Sequence, residues 1–316
     1  MSDRGGPLVD APAAAPGLTP PPAADVPARC LNCDSSLVQQ YCPVCGQAAK
    51  DPDPTLAEFV HELAAEFFLW DGKLFTTFRL LIATPGELTR AYLAGHRVRY
   101  IPPLRLYLTC SVVYFLLRTI APEPTLVVRS GGAVRTQMGA VVVEEGEVGQ
   151  AARALDSLAR VGASPVGRMV GRRLGNALRH QKEFVAAMRA NTPRMMFVLV
   201  PLFAALTAVV FRNRRMHYPK HLTFALHEHA FLFLALIPLL IPRSAPKSTI
   251  GAALSATAVL VSFGAIAVHL VLAIRRVYGG SLGGAVARGA LLAAAYFACF
   301  TIALLTTVAI VMAIQF

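Results

Sequence analysis

The sequence predicts an all-α membrane protein with about five transmembrane helices, an N-terminal zinc ribbon and interfacial amphipathic helices. Hydrophobic residues make up 55% of the 316 residues and charged residues only 15%, whereas a soluble domain carries about 25% charged residues. The mean hydropathy is +0.53, and the apolar residues gather in runs that approach or exceed the length of a membrane-crossing helix. Two CxxC pairs lie near the N-terminus, which is the feature that predicts the ribbon.

Five apolar runs are predicted to cross the membrane, and the positive charges between them predict their direction. The runs are 104–120, 195–211, 222–241, 250–274 and 290–314. Short loops rich in arginine and lysine stay in the cytosol. The loops after the second and fourth runs carry Arg212, Arg214, Arg215 and Lys220, and Arg275, Arg276 and Arg288. These charges predict a multi-pass protein of the inner (cytoplasmic) membrane, with a cytosolic N-terminus and an external C-terminus.

The net charge of +12 favours anionic partners. The basic residues gather at the ends of apolar runs and along one loop, and few lie near the cysteines. This distribution fits the headgroups of a lipid bilayer and argues against nucleic acid. Arg97 and Arg99 stand just before Pro102 and the first run, so we expect them to contact lipid phosphates.

The N-terminal arm combines a tether with a predicted metal site. Residues 1–28 are rich in Pro and Ala and have no apolar signal-peptide core, which predicts a disordered tether. The ribbon at 29–48 contains Cys30, Cys33, Cys42 and Cys45. Four thiolates suit one structural Zn²⁺, while the alternative, two disulfides, is disfavoured in a reducing cytosol. Because every ligand position is a cysteine, no position is open for catalysis, and we expect the ribbon to support folding or to dock a cytosolic protein partner.

Interfacial amphipathic helices are predicted over 53–100. Helices are expected at 53–69, 73–84 and 87–94, and the expected aromatic anchors are Trp70, Phe75, Phe78 and Tyr92. A small soluble helical domain is the alternative interpretation of this segment. The loop at 121–194 is predicted to be external, with a hairpin over 126–143 and a basic amphipathic helix over 166–190 on the membrane surface. A loop of this length escapes the charge rule.

Several motifs resemble those of a known family. They are CPVCGQ at 42–47, WDGKLFTTFRLLIATPGELTRAYLAGHRVRYIPPLRLY at 70–107, HYPKHLTFALHEHAF at 217–231 and VYGGS at 277–281. The chain resembles an uncharacterised bacterial group of integral membrane proteins with an N-terminal zinc ribbon, a domain-of-unknown-function family. The resemblance implies this architecture and carries no established activity.

A group of ionisable residues sits near the predicted cytosolic ends of the third and fourth runs. The group is His217, His221, His227, Glu228, His229 and His269. Counting from the cytosolic ends places 227–229 and His269 at one depth, and ionisable groups inside a membrane are candidates for function. Three interpretations are open: a packing or headgroup-binding cluster, a proton or ion pathway, and an iron or zinc site in a membrane enzyme. For the third, the chain has few histidines.

No P-loop, dinucleotide-binding fingerprint or HExxH motif occurs in the sequence. Tyr278 and Tyr296 are expected to be ordinary interface or packing residues. The leading hypothesis is a non-enzymatic scaffold or accessory protein with a structural zinc site. A proton-coupled or small-solute transporter is the alternative, a histidine–metal membrane enzyme comes third, and a homo-oligomer is left open.

Overall fold

The computed structural model describes a defined part of the chain, divided into two compact units at 1–51 and 52–316. The described residues are 29–37, 40–49, 73–120, 150, 153–154, 157, 164–214, 216–244 and 249–315. The predicted tether at 1–28, the helix at 53–69 and the hairpin at 126–143 lie outside the described residues.

The second unit is built from helices. They are α1 (Leu74–Ala83), α2 (Glu87–Leu93), α3 (Pro103–Ile120), α4 (Pro165–Arg179), α5 (Gln181–Val210), α6 (Tyr218–Leu236), α7 (Thr249–Tyr278) and α8 (Leu282–Gln315), with 3₁₀ turns at Arg212–Arg214 and Ile237–Ser244. Five segments are long and apolar enough to cross a membrane, namely Pro103–Ile120, Glu183–Val210, Tyr218–Leu240, Ala253–Tyr278 and Leu282–Gln315. The predicted all-α fold class with five candidate spans is confirmed for the part of the chain that the structure describes.

The helix ends differ from the ends of the apolar runs for local chemical reasons. Helix α8 begins before the predicted run because the Ser281 Oγ accepts the Gly284 N–H at 3.2 Å and caps the first turn. Helix α6 ends at Leu236, where Pro238 cannot donate to the preceding turn, and the chain continues as a 3₁₀ turn. Helix α5 extends back to Gln181 through polar residues outside the apolar run.

Helix α6 lies at the centre of the bundle. It packs against α3, α5 and α7, and 50% of its most apolar stretch is buried inside the protein, against 6% for α8. The outer surface of α8 shows large exposed apolar side chains, including Phe297, Ile302 and Ile314. Such a surface suits lipid. The buried histidines of α6, His221, His227 and His229, therefore face the interior of the bundle.

Two ends of the bundle can be told apart by their contacts. At one end the Phe211 and Tyr278 rings stack with centroids 3.9 Å apart, which joins the C-terminal end of α5 to the C-terminal end of α7. Arg276 Nη1 donates to the Pro85 carbonyl at 2.8 Å, so α1 and α2 lie at this same end. Helix α4 packs against the other end, where Arg173 donates to the Met312 carbonyl at 3.4 Å. The two arginine-rich loops thus share one end, as a five-crossing topology requires.

The turn between α1 and α2 fits closely against α7. Gly86 has φ +76°, and a Cβ there would lie 2.7 Å from the Ala273 Cα. Thr77 Oγ1 accepts the Ile101 N–H at 3.2 Å. Tyr92, an expected interfacial anchor, is only 9% exposed, because α2 packs against α6 and α7. These helices dock onto the bundle, while Phe75 is 77% exposed and suits an interfacial anchor.

We expect Gly86→Ala to destabilise the protein by about 2–5 kcal/mol, since the left-handed backbone and the contact with the Ala273 main chain both oppose a side chain. Gly283→Ala is the control, because a Cβ there meets nothing within 4 Å and should change stability by no more than about 1 kcal/mol. Denaturant titration of the purified proteins in detergent measures both. Equal stability of the two variants would contradict the close fit.

Candidate functional site

The N-terminal unit is a pair of knuckles with the same backbone pattern. The Asp34 N–H donates to the Cys30 carbonyl at 2.8 Å, and the Gly46 N–H donates to the Cys42 carbonyl at 2.9 Å. Asp34 and Gly46 have φ of 61° and 74°, so Asp34 holds the position that glycine holds in the second knuckle. Each turn places its two cysteines on the same side of the chain.

The four sulfur atoms converge on one point. The Sγ atoms of Cys30, Cys33, Cys42 and Cys45 all lie within 4.8 Å of one another. Two of the separations are 3.6 Å (Cys30–Cys45) and 3.5 Å (Cys33–Cys42). Thiolates on a tetrahedral ion with bonds of about 2.3 Å are roughly 3.8 Å apart, whereas a disulfide needs about 2.05 Å. All four cysteines are free thiols, and their arrangement can hold one metal ion.

Ser35 lowers the pKa of two of these thiols. Its Oγ lies 3.0 Å from the Cys42 Sγ and 3.1 Å from the Cys33 Sγ. Hydrogen bonding to Ser35 lowers the pKa of Cys42 to about 6 and also lowers the pKa of Cys33. Burial raises the pKa of Cys30 to about 11. Cys33 and Cys42 are therefore readily deprotonated to thiolate ligands. This role of Ser35 was missed because the fold of the knuckle determines the position of its hydroxyl.

The structure divides the predicted histidine group. His221, His227, His229 and His269 are 1%, 1%, 3% and 3% exposed. His217 is exposed and stands at the N-cap of α6, so it does not join them. The side chain of Glu228 is 9% exposed. Four histidines and one carboxyl are therefore held inside the bundle.

Two of the histidines form pairs with tyrosines. His221 Nδ1 and the Tyr278 hydroxyl lie 2.9 Å apart. His229 Nδ1 donates to the Ala225 carbonyl at 2.8 Å, and the Tyr296 hydroxyl donates to His229 Nε2 at 2.8 Å. The pairs tie α6 to α7 and α8. The expectation that Tyr278 and Tyr296 are interface or packing residues did not include these bonds, although a buried tyrosine hydroxyl usually finds a partner.

His227, Glu228 and His269 form a third group, which joins α6 and α7 to the α1–α2 segment. His227 Nδ1 and Thr89 Oγ1 share a hydrogen bond of 2.9 Å. His269 Nδ1 lies 3.2 Å from Glu228 Oε2, and His269 Nε2 donates to the Leu81 carbonyl at 2.9 Å. The expected common depth of 227–229 and His269 agrees with the Glu228–His269 contact. Leu81 and Thr89 were not foreseen, since nothing in their local sequence marks them.

The third group leaves polar atoms without partners. Within the described residues, His227 Nε2 and Glu228 Oε1 are buried and make no hydrogen bond. Such atoms cost about 1–3 kcal/mol each in a protein interior. The two His–Tyr pairs have no such atom in the same part of the chain, so the third group departs from simple packing.

The histidines do not assemble a metal site in the part of the chain that the structure describes. There, the cysteines form the only group of three or more ligand residues close enough to hold an ion. The hypothesis of a histidine–metal enzyme thus lacks a ligand set among these residues.

The two arginines expected at lipid phosphates differ in their surroundings. The Arg97 guanidinium lies 5.5 Å from the centroid of the Tyr92 ring, and the residue is half-buried. Arg99 is exposed. The structure therefore places Arg99 where a headgroup could reach it and places Arg97 partly against α2.

Comparison with known protein families gives a match to part of the chain. A family described as "Protein of unknown function (DUF3667)" matches residues 71–115. No curated protein and no solved structure matches this chain. The matched residues include α1, α2 and the first part of α3, and hence the Leu81 carbonyl, Thr89 and Gly86. The similarity to this family thus covers the segment that contacts the buried groups of α6 and α7.

Proposed function

We propose that this chain is a non-enzymatic, multi-pass inner-membrane protein whose N-terminal ribbon is a structural zinc module that docks a soluble cytosolic protein. The convergence of four cysteine sulfurs on one point carries the proposal. A site with four protein ligands has no open position for a substrate. The same ribbon exposes two large apolar side chains, Tyr41 at 62% and Val44 at 72%, which suit contact with a partner.

Zinc is the ion that this ligand set favours. Four thiolates in a tetrahedral arrangement suit Zn²⁺ or iron–sulfur chemistry, and paired CxxC knuckles are typical of structural zinc. When bound, the ion would hold the two knuckles together. Cys30, Cys33, Cys42 and Cys45 are the residues that would bind it.

We expect purified full-length protein to contain one zinc per chain and Cys42→Ser to lose it, because three remaining thiolates leave the tetrahedral site incomplete. Cys299→Ser is the matched control, since Cys299 lies in α8 outside the cluster, and it should keep the full zinc content. Elemental analysis gives the stoichiometry. Metal-free protein with all four ribbon cysteines reduced would overturn the zinc assignment.

Docking predicts a defined contact at Val44. A photo-crosslinking amino acid at Val44 should give one discrete protein adduct in cells, because the apolar side chain would face the partner. The adduct should disappear when Cys42→Ser removes the zinc, and Arg29, exposed on the same ribbon, is the control position. A ladder of adducts that persists in Cys42→Ser would argue against a specific partner.

The proposed orientation rests on the end of the bundle that gathers α1, α2 and the two arginine-rich loops. By the positive-inside rule this end faces the cytosol, which also keeps the ribbon cysteines in a reducing compartment. Helix α4, at the opposite end, is basic, but it belongs to a long loop that escapes the rule.

Reporter fusions test this orientation. Fusions at residue 150 and after the C-terminus should both report the external side, and one before the ribbon should report the cytosol. Alkaline phosphatase and a fluorescent protein, active on opposite sides of the membrane, serve as the matched reporters. A cytosolic signal at residue 150 would contradict the five-crossing topology.

A proton-coupled transporter is the second candidate, favoured by the buried polar atoms of His227 and Glu228. Ionisable groups that lie in a membrane-spanning helix with incomplete hydrogen bonding are typical of proton pathways.

In liposomes loaded with a pH-sensitive dye, this second candidate predicts proton flux above that of empty liposomes. Glu228→Gln should abolish the flux because it removes the ionisable group. Tyr296→Phe is the control, since it breaks a buried histidine bond elsewhere on α6 and should leave flux within about twofold of the original protein. Equal flux through the original protein and Glu228→Gln would exclude Glu228 as a relay.

A further inference from the structure

The contact between α1 and α7 determines which nitrogen of His269 carries hydrogen. His269 Nε2 lies 2.9 Å from the Leu81 carbonyl oxygen. A carbonyl oxygen can only accept a hydrogen bond, so His269 Nε2 must be protonated. His269 is 3% exposed, which leaves little room for water to replace this partner.

The other nitrogen then faces an acceptor. His269 Nδ1 lies 3.2 Å from Glu228 Oε2. In a neutral imidazole with hydrogen on Nε2, Nδ1 presents a lone pair, and an ionised carboxylate also presents only lone pairs. Two acceptors at this distance in a buried site repel each other. A proton must therefore lie between them, on Nδ1 or on the carboxyl oxygen.

We infer that Glu228 and His269 form a proton-binding site, which holds one proton more than a neutral histidine and an ionised glutamate, and that this proton fastens α1 to α6 and α7. The ligand is the proton itself. The inference depends neither on docking by the ribbon nor on transport, because it follows from the hydrogen bonds of His269 alone.

The surroundings make this proton the principal partner of the carboxyl group. The Phe231 ring stacks on the His269 ring, with centroids 3.7 Å apart and planes at 11°. Within the described residues, Glu228 Oε1 makes no hydrogen bond, and the ion-pair partner of Glu228 is His269. The carboxyl group thus depends on His269 for its hydrogen bond.

Few other ionisable groups of the described helices α1, α2, α6 and α7 lie near Glu228 and His269. His227 of α6 interacts electrostatically with His269, and Tyr278 of α7 with Glu228. On α2, Glu87 accepts from Arg90 and lies 3.7 Å from Arg276 of α7, so these charges are paired with one another. Helix α1 contributes the Leu81 carbonyl.

His229 provides an internal comparison. Its Nδ1 also donates to a backbone carbonyl, that of Ala225, but its Nε2 faces the Tyr296 hydroxyl, which can donate. A neutral imidazole satisfies both bonds of His229. The extra proton is therefore required at His269 and not at His229, although both rings are buried in the same bundle.

Without the extra proton, neutral His269 has one N–H for two acceptors, Glu228 Oε2 and the Leu81 carbonyl. Hydrogen on Nε2 leaves Nδ1 repelling the carboxylate, and hydrogen on Nδ1 breaks the bond to Leu81. The docked arrangement binds the proton, so raising the pH opposes docking and lowering it favours docking. The hydrogen on Nδ1 satisfies the buried carboxylate, so the bond that is lost is the one from Nε2 to the Leu81 carbonyl, and α1 is the segment released. Glu228→Gln should abolish this dependence, because a glutamine amide N–H can donate to Nδ1 of neutral His269 at any pH.

The protonation state can be read directly in full-length protein in lipid nanodiscs. Nitrogen NMR of ¹⁵N-histidine protein, assigned with His269→Gln, should show both His269 nitrogens protonated, or else infrared spectra should show a carboxylic-acid stretch that Glu228→Gln removes. Tyr296→Phe should leave either signature unchanged. A bare His269 nitrogen without a carboxylic-acid stretch at neutral pH would overturn the inference.

Hydrogen exchange tests the link to α1 and needs no spectral assignment. Protection of the α1 amides, corrected for intrinsic rates, should fall at least tenfold more between pH 6 and pH 9 in the original protein than in Glu228→Gln. If that variant does not fold, His269→Gln replaces it, since its amide also avoids the repulsion. The same pH dependence in the original protein and in the variant that folds would exclude a proton-dependent contact.

Discussion

The need to satisfy polar groups inside a membrane-spanning helix shapes this bundle. Helix α6 carries three buried histidines and Glu228, and hydrocarbon offers them no hydrogen bonds. Their side-chain partners come from other helices: Thr89 on α2, Tyr278 and His269 on α7, and Tyr296 on α8. Each of these hydrogen bonds holds the helix that carries the partner against α6. The central position of α6 and the docking of the α1–α2 segment follow from this one requirement.

The features that could be predicted from sequence are those that depend on nearby residues. Apolar runs predict crossing helices because the bilayer requires length and hydrophobicity, and two CxxC pairs predict a shared site because each knuckle closes on itself. The partners of the histidines were missed for the opposite reason. Thr89 is 138 residues from His227, and Leu81 is 188 residues from His269, and such pairings arise only when the helices pack. The exposure of His217, at the start of α6, could not be read from its spacing to His221 either, since helical spacing does not show where the bundle ends.

The two units of the chain rely on different forces. The ribbon is too small to bury a core, so a metal ion is its natural source of stability. The second unit combines lipid-exposed apolar faces with a polar interior, the arrangement expected where hydrocarbon surrounds the protein. The family-matched residues 71–115 belong to this second unit. The match therefore does not include the ribbon or its cysteines.

The close approach of Gly86 to Ala273 has a consequence for biogenesis. The ribosome makes α1 and α2 first, yet their binding surface on α6 and α7 exists only after nearly the whole chain has been synthesised. At typical elongation rates of about 5–20 residues per second, the interval lasts roughly ten seconds or more. During this interval the amphipathic α1–α2 segment has no bundle to bind, and we expect it to lie on the membrane surface. Assembly therefore finishes with its earliest helices, so insertion of the spans and completion of the fold are separate events.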